Sequence, residues 1–267
     1  MKFPAFAGAL LVLAFAAGTA RADDPGTAGL DMTVIDCQPH NAAQESADMD
    51  LAAKAFDAIS KANQTGGADQ LTALNAMLPG LETALAHAPD KPSLPEHCGD
   101  TIVLYSDDMM QMLVLSAAVD KNKDMISKNG GATKVEQREP LPYALLAFAV
   151  GWIKFEQGDY AGADAADRKG LLNDPNDALL ASEDSYALAK LGRSQEAYDA
   201  AAGFLAAHPG LDDANHALLL RREGYALIDL NRLDEAQAAY EQSLKLDPGN
   251  AAALGDLDYI KQQRASH

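Results

Sequence analysis

A triplet of residues recurs three times in the second half of this chain at unchanging intervals. Gly151, Ala163 and Pro175 are spaced 12 and 12, as are Ser185, Ala197 and Pro209, and Gly224, Ala236 and Pro248. Trp152, Tyr186 or Tyr225 directly follows the small residue each time. Successive prolines stand 34 and then 39 residues apart, so one connection carries five additional residues. Helix-forming residues fill the intervals, and a fixed spacing of this size means helical hairpins stacked in an array. Two helices that cross closely cannot both place bulky side chains at the crossing. Gly, Ser and Ala at the repeated positions remove that obstacle from both sides. Arrays of this kind bind other molecules along a concave face.

These residues resemble the tetratricopeptide repeat family, whose unit is a helix pair with a small residue in the first helix, an alanine in the second and a closing proline. The stretch from Leu230 to Asn250 carries the resemblance furthest, with Asp234-Glu235-Ala236 and Leu246-Asp247-Pro248-Gly249-Asn250. Gly158-Asp159-Tyr160 and Leu191-Gly192-Arg193 fall at the turns between paired helices. Lys154, Asp184 and Glu223 depart from the pattern, standing where apolar residues are usual. The resemblance implies an all-α solenoid with repeats at 144–177, 178–211 and 217–250 inside a domain 141–250, closed by a capping helix and tail at 251–267. It also implies a ligand groove on the first helix of each pair.

Helical spacing then assigns Phe148, Trp152 and Phe155 to one stripe of the first repeat, Ser182, Tyr186, Ala189 and Lys190 to the second, and Arg221, Tyr225, Ile228 and Asp229 to the third. Trp152, Tyr186 and Tyr225 form a row with Arg221 and Arg222 at one end. The rings either line the groove or fill space between helices, and both readings stay open. The family's carboxylate clamp needs Lys, Asn and Arg at places held here by Phe148, Trp152 and Tyr186, so a peptide segment with apolar anchors is the expected ligand. Asp184 and Glu223 flank the packing face and require cationic partners, with Arg222 expected for Asp184.

Residues 1–22 read as a secretory leader: Lys2, an apolar stretch from Ala7 to Ala17, and Ala20-Arg21-Ala22 as the cleavage site. Export to a periplasm or to the exterior follows. Residues 23–40 read as an extended arm, 41–128 as an N-terminal helical region whose third helix starts near Asp100, and 129–140 as a linker. Pro79-Gly80 is expected to kink or interrupt the second helix. The methionines Met109, Met110, Met112 and Met125 read as core. Against 21 basic residues, two of them in the leader, stand 39 acidic ones. That balance excludes nucleic-acid partners and attraction to anionic membranes. No stretch beyond the leader is long enough to insert stably in a bilayer. A protein or peptide of the cell envelope is the expected partner.

No catalytic or cofactor motif is present, so neither an enzymatic activity nor a cofactor is expected. Two cysteines, Cys37 and Cys98, read first as one disulfide in an exported chain, worth about 4 kcal/mol in the loop-entropy account. The alternative is a small-ligand or metal site built from Cys37, His40, His97 and Cys98, although that spacing is not an ordinary zinc pattern. Thiol titration of the denatured, unreduced protein should find no free thiol; two would exclude the disulfide.

Overall fold

The computed structural model describes residues 34–65, 68–90, 95–106 and 134–265. The leader, most of the arm, the four methionines and the Gly66-Gly67 and Gly130-Gly131 pairs lie outside the described residues. The first hairpin joins α1 (Ala42–Thr65) to α2 (Ala68–Leu85). Asn41 opens α1, its side-chain oxygen accepting from the Gln44 amide at 3.2 Å. Contrary to the expectation for Pro79-Gly80, α2 runs through Pro79 without interruption. Leu74 and Leu81, both fully buried, anchor the helix on either side of the proline, so packing outweighs one lost backbone hydrogen bond.

The next segments correct the expected helix and linker. β2 (Glu96–Cys98) and β3 (Thr101–Tyr105) form an antiparallel hairpin around Gly99-Asp100. Gly99 at φ 67° supplies the first central position of such a two-residue turn. The third helix does not start at Asp100, because the run Thr-Ile-Val-Leu-Tyr is β-branched and aromatic, and Ile102, Val103 and Leu104 are all fully buried. β1 (Ile35–Asp36) joins β2 in parallel, and β4 (Lys134–Arg138), inside the expected linker, joins β3 in parallel. The strand order is β1-β2-β3-β4.

From Tyr143 onward the chain is the anticipated α-solenoid. Its hairpins are α3 (Tyr143–Glu156) with α4 (Tyr160–Asn173), α5 (Ala178–Lys190) with α6 (Ser194–Ala207), and α7 (Asp213–Asp229) with α8 (Leu233–Leu246); α9 (Ala251–Ala265) follows. Ala163, Ala197 and Ala236 are at most 1% exposed. The residues at the crossings meet as the spacing requires. Gly151 faces the Asp167 carboxyl, Ser185 Oγ donates to the Ala197 carbonyl at 2.9 Å, and Gly224 faces the Tyr240 ring. The inter-helix turns each need one left-handed residue, which is Gly158, Gly192 or Asn231. Asp159, Asp177 and Asp212 cap α4, α5 and α7 by accepting backbone amides.

The solenoid begins earlier than the repeats in the sequence. α3 packs on both α1 and α2, as α5 packs on α3 and α4, and as α7 packs on α5 and α6. One apolar cluster accordingly runs from Ala52, Ile59, Leu74 and Leu81 through Leu146 and Ile153 to Leu180. The α1–α2 hairpin is thus a further layer of the stack, and the sheet strands β2 to β4 lie in the chain between it and α3.

Two glycine substitutions test this packing with opposite signs. A Cβ on Gly224 would sit 2.7 to 3.0 Å from ring atoms of the fully buried Tyr240, whereas nothing lies within 4 Å of one on Gly203, exposed in α6. Gly224→Ala should destabilise the protein by about 1–3 kcal/mol, and Gly203→Ala should stabilise it by about 0.5–1 kcal/mol, in denaturant titrations.

Candidate functional site

The first helices of the three hairpins bring their aromatic residues into one continuous row. Phe155 of α3 stacks on Tyr186 of α5 with ring centroids 4.8 Å apart, and Tyr186 meets Tyr225 of α7 edge-on at 5.4 Å. Tyr160, opening α4, closes the row edge-on against Phe155 at 5.0 Å. All four residues are partly exposed. Pairs at these separations attract beyond the area they bury.

Two cations lie on the same rings. The Arg222 guanidinium is 4.1 Å from the Tyr186 centroid, and Lys190 Nζ is 5.0 Å from Tyr186 and 5.2 Å from Tyr225. Lys190 Nζ also donates to the Tyr225 hydroxyl at 3.0 Å. That bond, together with the charge interaction with the Tyr186 and Tyr225 hydroxyl groups, raises the lysine pKa against a smaller desolvation effect. Arg222 donates to Ser182 Oγ at 3.1 Å and pairs with Glu183 at 3.0 Å. Lys190 has no carboxylate within ion-pair distance among the described residues.

The sequence-derived groove set divides accordingly. Phe155, Tyr186, Lys190, Arg222 and Tyr225 come together. Arg221 turns to Asp247 at 3.1 Å, which ties α7 to the end of α8. Phe148 is a correction: it is 7% exposed and packs on Phe56 of α1, ring centroids 5.7 Å apart, because the α1–α2 hairpin covers that face of α3. Trp152 packs against the same core cluster, and Phe155, one helical turn onward, takes the place in the row expected for Trp152. Trp152 leans on the hairpin before its own, which the repeat spacing does not reveal.

Behind the row, between α4 and α5, lies a group of buried acids that sequence reasoning missed in part. Asp184 pairs with Arg168 at 3.4 Å, and Arg222, the expected partner, pairs with Glu183 instead. Arg168 also lies 2.6 Å from Asp164, which Arg193 approaches to 3.1 Å. Glu223 is partly buried and has no ion pair within 4 Å among the described residues; desolvation raises its pKa against the pull of Arg232. Asp167 is 1% exposed, and its Oδ1 has no hydrogen-bond partner among the described residues. Burial, reinforced by Glu183, Asp184 and Asp164, pushes its carboxyl up to about 9, so it is protonated at neutral pH. Burial likewise raises the Asp184 pKa, as does a hydrogen bond that its protonated carboxyl donates to Asp164. The signal for Asp167 was available: it stands 16 residues after Gly151, the offset that separates Gly224 from Tyr240.

The Cys37, His40, His97 and Cys98 neighbourhood is assembled only in part. Cys37 and Cys98 lie at disulfide distance with Cα atoms 4.7 Å apart, and they join the arm to β2. The donor group that geometry brings together is Cys37, Glu96 and Cys98, with the two sulfurs at disulfide distance from each other. His97, between Glu96 and Cys98 on β2, falls on the other face of the strand. His40 instead donates from Nδ1 to Glu45 at 2.8 Å and from Nε2 to Glu96 at 2.9 Å. Desolvation works against its charge, but the two carboxylates outweigh it and raise its pKa.

The Tetratricopeptide repeat profile matches residues 217–250, the hairpin of α7 and α8. This segment is a tetratricopeptide repeat. The α3–α4 and α5–α6 hairpins share its spacing and its buried alanine. Among solved structures, the first tetratricopeptide domain of human RPAP3 is similar at 29% identity, over 46% of this chain and 93% of that one, with a TM-score of 0.42. The first such repeat domain of Spaghetti (RPAP3), bound to the HSP90 peptide SRMEEVD, has the same identity and coverage and a TM-score of 0.41. The second domain of human RPAP3, in complex with the HSP70 peptide SGPTIEEVD, is 29% identical over 42% of this chain and 88% of that one, at 0.37. No curated protein matches the sequence.

Asp167 generates a pH prediction. A carboxyl whose folded pKa is raised stabilises the fold below its unfolded value near 4, and that contribution is lost as pH rises towards 9. Between pH 7.5 and 8.5 the wild type should lose about 1.4 kcal/mol per pH unit from this group. Asp167→Asn should flatten that slope in denaturant titrations; equal slopes would place the proton elsewhere.

Proposed function

We propose that the chain is an exported, non-catalytic scaffold that holds a protein or peptide segment of the cell envelope along the Phe155–Tyr186–Tyr225 row. One observation carries the reading. Three rings from three successive hairpins touch one another and stay partly exposed, with Lys190 above two of them and unpaired with any acid among the described residues. Aromatic residues with an adjacent cation, on a rigid face, have the composition of a binding hot spot. The rings would anchor apolar side chains of the segment, and Lys190 would meet a backbone carbonyl or an acidic group. The family membership of residues 217–250 supports an interaction role.

Export rests on the leader at residues 1–22 and on the paired cysteines, which suit an oxidising compartment. A formal net charge of −18 disfavours nucleic acid as the guest. Among the described residues no helix is long and apolar enough to cross a membrane.

Crosslinking purification from the native compartment, run in parallel on variants, tests the groove. Tyr186→Ala and Phe155→Ala should each lower partner recovery by about tenfold or more, while Leu172→Ala, at a 42% exposed site away from the row, should leave it unchanged. Equal recovery by wild type and both ring variants, with lowered melting temperatures, would make the row structural only.

A further inference from the structure

The surroundings of Cys37 and Cys98 contain more machinery than a structural crosslink requires. Glu96 is 1% exposed, yet it lies in the middle of a polar network. Its Oε2 accepts from the Gln38 amide at 2.9 Å and lies 3.7 Å from Cys98 Sγ. Its Oε1 accepts from His40 Nε2 at 2.9 Å and from the Tyr105 hydroxyl at 3.3 Å. His40 continues to Glu45 at the start of α1, whose side chain is 18% exposed. A carboxylate beside a sulfur, an imidazole on that carboxylate and a second carboxylate reaching solvent make a proton path from water to Cys98. Arg138 on β4 faces the Tyr105 end of the network.

The two sulfurs are not equivalent. Cys37 is exposed, while Cys98 is partly buried beside Glu96. An incoming thiolate therefore reaches Cys37, and the sulfur released is the one with a proton source. β1 is only two residues long and is held to β2 by backbone bonds as well, with Ile35 N donating to Pro95 O and Cys37 N to His97 O. Opening the sulfur bridge leaves these contacts in place.

We propose that Cys37 and Cys98 are a redox-active pair that exchanges with external dithiols, Cys37 being the sulfur attacked and Cys98 the sulfur released and protonated through Glu96 and His40. A thiolate of the dithiol attacks Cys37 Sγ and forms a mixed disulfide. The Cys37–Cys98 bond breaks with its electron pair going to Cys98 Sγ, which takes a proton held by the Glu96–His40 pair; Glu45 returns a proton from solvent. The second thiolate of the dithiol attacks its partner sulfur in the mixed disulfide and releases the Cys37 thiolate. Two electrons pass from the dithiol, which leaves as a cyclic disulfide, to the protein cystine. The reverse sequence oxidises the pair. This role is independent of the groove.

Exposing the folded protein to glutathione, trapping free thiols with an alkylating agent and mapping adducts by mass spectrometry tests the asymmetry. The glutathione adduct should sit on Cys37 and the alkyl group on Cys98. An adduct on Cys98, or a bridge that resists reduction until the protein is denatured, would overturn the proposal. Kinetics with dithiothreitol test the proton path: Glu96→Gln should slow native-state reduction by about tenfold or more and flatten its pH profile, and Glu45→Gln should change the same profile with Glu96 intact. Wild-type rates and profiles in both variants would sink the relay.

Discussion

Each hairpin depends on a point where the backbone of one helix comes against a side chain of the next. At Gly151 that side chain is Asp167 and at Gly224 it is Tyr240, while at Ser185 a hydroxyl fills the gap by bonding to the Ala197 carbonyl. The crossings recur at the same place in the three repeat hairpins, which puts Tyr186 and Tyr225, each one residue beyond its crossing, in equivalent places. Trp152, their counterpart in the first repeat, is taken up by the core cluster, and Phe155, four residues beyond Gly151, meets Tyr186 instead. The row follows from the crossing geometry of close-packed helices together with the α1–α2 hairpin.

Charge is distributed unevenly around that frame. Acids collect in the seam between α4 and α5, where Asp164 and Asp184 are held by Arg168 and Arg193, and Asp167 avoids the cost of a buried charge by keeping its proton. Cations lie over the aromatic row, where Arg222 is answered by Glu183 and Lys190 is stabilised by rings and a hydroxyl. The asymmetry gives the front of the solenoid a polarity that the composition as a whole conceals.

The N-terminal part extends the stack and anchors the arm to it. Phe56 against Phe148 joins α1 to α3, and Glu45, from the first turn of α1, joins that helix to the network around Glu96. His87, beyond α2, bonds to the buried Asp48 of α1 at 2.8 Å. The sulfur pair thus sits on a sheet whose polar contacts lead back to the same helices that carry the core.

The interval of 12 and 12 determined the hairpins, the fully buried alanines and the left-handed turns, because close helix crossing admits few residue types and periodic spacing exposes them. It also placed Tyr186, Lys190, Arg222 and Tyr225 on one face. Tertiary structure alone decided the rest. α1 and α2 carry no repeat signature, so only packing could reveal that they cover Phe148 and draw Trp152 out of the row in favour of Phe155. The strand at Thr101–Tyr105 was hidden because short apolar runs fit either period until neighbouring strands supply hydrogen bonds. Partner choice among charges was equally illegible: Arg168 reached Asp184 and Arg222 reached Glu183, since ion pairs follow distances across helices, which no spacing along one chain encodes.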